Sequence, residues 1–253
     1  MRLCLSHVPR ATNEPDYTGT TRSNRSRVAH IEVYMKPYYD QDGITIYNAD
    51  CHDVLPTLEP VGLIWTDVPY SLEETGIDFS DAYQNFMVER FGLMKGILED
   101  RSMVVVCCSP PQVFMYRDIL ETAGFTYKGL HAWMSRASFY PSSFWNPSWE
   151  PLIVVSLGKL KILHKEGGHA DVNFNDCSVF TRPKGQEHPA TKPQGLVSKY
   201  IIGTEAQTIL DPFMGSGTTL RAAKDLGRKA IGIEIEERYC EIAANRLAQG
   251  VLL

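Results

Sequence analysis

The segment Ile209-Leu210-Asp211-Pro212-Phe213-Met214-Gly215-Ser216-Gly217-Thr218-Thr219, with Gly232-Ile233-Glu234 after it, constrains the fold of this chain more than any other stretch. Ile209 and Leu210 read as the end of a buried strand. Gly215 and Gly217 predict a tight turn that lets backbone approach a ligand closely. The run from Thr218 to Ala223 opens a helix, whose first N–H groups and positive dipole end face that turn. A second apolar run, Lys229 to Ile233, ends on Glu234. That acid lies about 20 residues past the glycines, where a strand–helix–strand unit places a carboxylate able to accept from ribose hydroxyls. The pattern predicts half of a nucleoside-binding, Rossmann-type α/β fold.

What the turn lacks narrows the nucleoside. A dinucleotide fingerprint needs a third glycine three residues beyond Gly217, and Leu220 stands there. A P-loop needs a lysine in the turn, and there is none. Asp211 brings negative charge to the mouth, which repels a pyrophosphate and suits a sulfonium or an α-amino group. The residues alone also fit an ordinary strand-to-helix turn. As a motif, they resemble the S-adenosyl-L-methionine site of the Rossmann-like methyltransferases, written D-P-F-x-G-S-G-T-T. The resemblance implies that Asp211, Phe213, Gly215, Gly217, Thr218 and Glu234 bind this cofactor.

A second motif bears on the chemistry. Gly62-Leu63-Ile64-Trp65-Thr66 reads as a buried strand running into Asp67-Val68-Pro69-Tyr70. This resembles the D-P-P-Y catalytic loop of the amino-methyltransferases that act on adenine N6 or cytosine N4. An exocyclic amine is a poor nucleophile because its lone pair is delocalised into the ring. Acceptors on its N–H groups draw the nitrogen towards tetrahedral geometry and stabilise the charge that develops as the methyl arrives. The resemblance gives these roles to the Asp67 carboxylate and the Val68 carbonyl, with Tyr70 as a stacking face for a flipped base. Val68 departs from the pattern, where proline is usual. The carbonyl survives the change, but the pre-set φ of proline is lost, so a looser loop is expected.

A third segment, His188-Pro189-Ala190-Thr191-Lys192-Pro193, is similar to an H-P-x-x-K-P element that lies beside the methionine portion of the cofactor, which implicates Lys192. Catalytic loop first, Lys-Pro element next and cofactor loop last is a circularly permuted order. It resembles the β group of DNA amino-methyltransferases from about Tyr38 to Leu247. The family's fold is Rossmann-like, with a mixed seven-stranded sheet. The stretch from Pro37 to Cys51 looks like its opening strand, lying beside the strand that ends on Glu234. Asp50 and Cys51 then face the cofactor adenine; equally, Asp50 is placed to cap the short helix that follows.

The rest of the chain sets limits. With 253 residues, 43% hydrophobic and 22% charged, it fits one α/β domain with a small insertion. Residues 1–36 lack apolar periodicity and are expected to be a poorly ordered extension, leaving 37–253 as the catalytic domain. An insertion at about 159–187 stands where this family carries its target-recognition region, and an aromatic loop from Phe139 to Trp149 precedes it. No apolar run is long enough to span a membrane and the six cysteines form no C-x-x-C pair; the start, Met1 to Pro9, is short and polar, so a secretory signal is not expected. A cytoplasmic protein without a metal site is expected.

Net charge −5 speaks mildly against nucleic acid, although one basic face suffices for a DNA enzyme. Lys159, Lys161, Lys165, Arg182, Lys184, Arg136 and the N-terminal Arg22, Arg25 and Arg27 are the candidates for it. The expected partner is double-stranded DNA, and a homodimer is compatible with the sequence. Adenine N6 is the expected acceptor, because a leading Asp is commoner in that branch of the family. Cytosine N4, an RNA, a small amine, and a binding module that has lost catalysis stand as alternatives.

Overall fold

The computed structural model describes residues 35–72, 77–134, 149–160, 177–181 and 191–249. Residues 1–34 of the N-terminal extension, residues 139–148 of the aromatic loop and most of the 159–187 insertion lie outside them, as do all the basic-face candidates except the exposed Lys159.

Among the described residues nine strands form a single sheet: β1 (Tyr39–Gln41), β2 (Ile44–Asn48), β3 (Val61–Asp67), β4 (Leu98–Cys107), β5 (Thr126–Met134), β6 (Trp149–Ser156), β7 (Cys177–Val179), β8 (Thr208–Asp211) and β9 (Lys229–Glu234). Their order is β1-β2-β9-β8-β3-β4-β6-β5-β7. The α-helices among these residues are α1 (Cys51–Val54), α2 (Asp81–Gly96), α3 (Val113–Thr122), α4 (Gln194–Ile202), α5 (Thr218–Asp225) and α6 (Glu237–Ala248).

Nine strands correct the expected seven. Each edge of the sheet carries one three-residue strand, β1 or β7. At one edge, the stretch read as a single opening strand folds back on itself. Asp42 and Gly43 both have positive φ, 53° and 77°, so this Asp-Gly pair makes a tight hairpin turn between β1 and β2. At the other edge β7, supplied by the insertion, pairs with β5.

From β2 through β9, β8 and β3 to β4 the strands run parallel. They are buried on both faces, which explains their near-continuous apolar sequences. Along β3, Leu63 and Trp65 pack on one side with Leu196, Tyr200 and Leu220 of α4 and α5. Ile64 packs on the other with Met87, Phe91 and Tyr116 of α2 and α3. This period-two alternation gives the sheet a helical layer on each face. β6 runs antiparallel to β4 and β5.

The consequence for function lies at the carboxyl ends of the parallel strands. Asn48 pairs with Glu234, Asp211 with Gly232, and Leu210 with Ile64 of the strand that leads into Asp67. The loops carrying the sequence motifs therefore leave neighbouring strands at one edge of the sheet, where open α/β folds place their ligands.

Candidate active site

The cofactor-type turn is built as its sequence requires. Gly217, with φ 76°, is the N-cap of α5, and a Cβ there would lie 2.7 Å from Ala243 Cβ of α6. Both the left-handed conformation and the close approach demand glycine. The Asp211 carboxylate accepts from Phe213 N at 3.2 Å and from Thr219 Oγ1 at 2.6 Å, tying strand, turn and helix together. Burial raises the Asp211 pKa to about 7, against the lowering effect of these two hydrogen bonds. Glu234 accepts from Gly215 N at 3.0 Å and from Glu236 N at 2.9 Å. Burial raises its pKa too.

At the end of β3, Asp67 Oδ2 accepts from Lys192 Nζ at 2.6 Å, while Asp67 Oδ1 is buried with no hydrogen-bond partner among the described residues. The loop after it is not left loose by the loss of proline. Val68 is buried and donates its N–H to Cys107 O at 3.2 Å. The hydroxyl of Tyr83, from α2, donates to Pro69 O and meets that of Tyr116, from α3. Gln112 Nε2 donates to Tyr70 O at 3.1 Å and to Asp78 O at 3.0 Å. Burial, then the Asp67 charge, pushes the Tyr70 phenol well above its usual range, so it stays neutral.

Asp50 takes the capping role that the sequence allows it. It caps α1 by accepting from His52 N at 2.8 Å, and it also faces the same space as the two loops. Arg90, buried on α2, pairs with it at 3.3 Å and stacks 3.6 Å from the centre of the Phe86 ring.

One cavity of about 430 Å³ joins these parts. Asp50, Cys51, Asp67, Val68, Pro69, Tyr70, Lys192, Asp211, Phe213, Gly215, Thr218 and Glu234 all line it. Gly217, expected at the cofactor, does not; it shapes the turn from behind, against α6. Phe86 of α2 is half-buried and lines the cavity, as do Trp65 and Ile235. Glu150, unmarked by any motif, is buried with its Oε2 3.1 Å from Lys192 Nζ.

Known proteins match at the level of sequence and of fold. The family of N6/N4 methyltransferases described as DNA methylase matches residues 61–245. The chain belongs to the N6/N4 DNA methylase family. This N6/N4 methylase is 26% identical to the type II methyltransferase M2.LlaDCHI of Lactococcus lactis subsp. cremoris, over 86% of this chain and 94% of the relative. It is 27% identical to the type II methyltransferase M2.DpnII of Streptococcus pneumoniae, over 85% and 93%. The M1.HpyAVI–SAM complex superimposes with a TM-score of 0.65 and 26% identity, covering 81% of this chain and 100% of that one. PvuII DNA methyltransferase, cytosine-N4-specific, shares the fold of this N6/N4 methylase, with a TM-score of 0.73 at 17% identity over 87% and 92% of the two chains. Among the described residues no helix is long and apolar enough to cross a membrane.

Proposed function

We propose that this chain moves a methyl group from S-adenosylmethionine to adenine N6 of a base flipped out of double-stranded DNA, in the cytoplasm. The observation that carries the reading is the placement of Asp67, with its unpartnered Oδ1, in the same cavity as Asp211, the Gly215 turn and Glu234.

The residues present fit the cofactor. Asp211 and Asp67 put acidic groups where a sulfonium and an ammonium would sit, Glu234 is available to ribose hydroxyls, and Phe86 and Ile235 offer apolar surface to an adenine ring. The solved SAM complex of M1.HpyAVI supports the choice of cofactor. The cofactor supplies an electrophilic methyl group on a positively charged sulfur.

The protein's part is to orient and to stabilise. Tyr70 presents a neutral ring for the extruded base, offsetting part of an unstacking cost of a few kcal/mol. Asp67 Oδ1 and the Val68 carbonyl accept from the two N–H groups of the acceptor amine. As the amine took up the methyl group, with the C–S electron pair returning to sulfur, positive charge would grow on that nitrogen, and Asp67 would stabilise it until the proton passed to solvent. The choice of adenine over cytosine rests on the resemblance: a leading Asp, here Asp67, is commoner in the adenine branch of the family.

Transfer of tritiated methyl from S-adenosylmethionine tests the reading, with DNA, RNA and a pool of small amines compared side by side. Label entering DNA supports it. Label confined to RNA or small amines, or cofactor binding without any transfer, refutes it.

A further inference from the structure

Glu150 belongs to neither sequence motif, yet it stands 7% exposed beside the proposed chemistry. It lies at the start of β6. Because β6 runs antiparallel to β4, with Leu152 opposite Cys107, that start comes to the same end of the sheet as Asp67, itself opposite Cys107. Lys192 Nζ bridges the two carboxylates, 2.6 Å from Asp67 Oδ2 and 3.1 Å from Glu150 Oε2.

This arrangement answers an electrostatic difficulty in the methyl-transfer reading, on which the inference rests. Asp67 has to stabilise positive charge on the acceptor amine. A lysine ammonium 2.6 Å behind it works against that, because an isolated Asp67–Lys192 pair is neutral as a unit. In a poorly screened interior the lysine would cancel much of the field at Asp67 Oδ1. Lys192, 4% exposed, also needs compensation for the water it has lost. A second carboxylate meets both needs. Asp67, Lys192 and Glu150 together carry one net negative charge, while the shared ammonium still fixes Asp67 through Oδ2.

We propose that Glu150 is a positioning residue for methyl transfer, which shares the charge of Lys192 so that Asp67 Oδ1 presents a negative field to the acceptor amine. The surroundings are consistent. Burial holds the Cys107 and Cys108 thiols and the Tyr70 phenol above their usual ranges, and hence neutral, so they do not compete for the lysine. Lys192 itself is held well above its ordinary range: burial opposes its charge, but the charges of Asp67 and Glu150 outweigh it.

The test is single-turnover methyl transfer on DNA at saturating cofactor, with cofactor Kd measured in parallel. The full-length parent, E150Q, E150D, K192M and the double variant E150Q/K192M are compared. E150Q should slow transfer by roughly tenfold or more, short of the ~10²–10³-fold typical of losing a direct contact, with cofactor Kd within about twofold. E150D should recover most of the rate. E150Q/K192M should be faster than E150Q alone, because removing the lysine restores one net negative charge to the group. A structural role would instead make the double variant slower than either single one, and that result overturns the proposal, as does E150Q transferring at the parent rate. Should E150Q not fold, E150D and K192M decide: transfer by E150D slower than by K192M overturns the proposal. A parent protein that methylates no DNA refutes the methyl-transfer reading itself, and is thereby distinguished from failure at Glu150.

Discussion

Glu234 Oε2 accepts a hydrogen bond from the backbone N–H of Gly215 at 3.0 Å, so the acid ending β9 and the glycine turn ending β8 form one structural unit. Glu234→Ala should therefore weaken S-adenosylmethionine by about 1.5–3 kcal/mol, the range for hydrogen bonds to a charged group, with a further loss from disorder of the turn. Calorimetry measures this directly. Unchanged affinity would place the cofactor's ribose elsewhere.

Asp67→Ala should lower methyl transfer by at least about 10²–10³-fold, because its Oδ1 contact strengthens as charge develops on the acceptor. Cofactor Kd should stay nearly constant. Transfer at the parent rate would remove Asp67 from the mechanism.

Asp211 makes cofactor binding depend on pH. Its pKa is about 7 in the folded protein against 3.8 as the ordinary value, so the fold prefers its protonated form. The stability linked to this group is therefore fully present below 3.8 and is lost as pH rises through about 7. Asp211→Asn should flatten the stability profile across that window. A cationic cofactor prefers the ionised form, so binding should release a proton and tighten as pH rises towards about 7. Titration calorimetry in two buffers of different ionisation enthalpy reads the proton count, and a count of zero near neutrality contradicts this role.

The loop after Asp67 is held by Val68 N on Cys107 O, by Tyr83 on Pro69 O and by Gln112 on Tyr70 O. Val68→Pro restores the commoner residue but deletes the first of these bonds, at about 0.5–1.5 kcal/mol. Stability should fall by that amount in a denaturant melt, with no gain in rate. A faster V68P enzyme would show that loop order was limiting after all. Tyr83→Phe with Tyr116→Phe should slow transfer while leaving cofactor Kd unchanged.

Much of this was legible in the sequence because the informative residues are local. Asp67, Asp211 and Glu234 each end an apolar run, so strand, turn and acid could be read from adjacent positions, and parallel packing brought the three ends together. What was hidden depends on contacts between distant segments. Glu150 reaches Lys192 only because β6 runs antiparallel, and nothing beside it in sequence records that partner. Tyr83 and Tyr116 look like ordinary core positions on their helices; their hydroxyls matter only because both helices pack over the Pro69 carbonyl. The Asp42-Gly43 turn was legible in principle, as a recognised hairpin dipeptide, but it lies within what reads as one strand.

Methyl transfer to an exocyclic amine through Asp67 is tested most directly by mass analysis of nucleosides from duplex DNA incubated with S-adenosylmethionine and either the parent protein or Asp67→Ala. The expected result is N6-methyladenine from the parent and none above background from the variant. N4-methylcytosine in its place would correct the acceptor and leave the mechanism standing, whereas no methylated base from the parent, or equal amounts from both proteins, would contradict the claim.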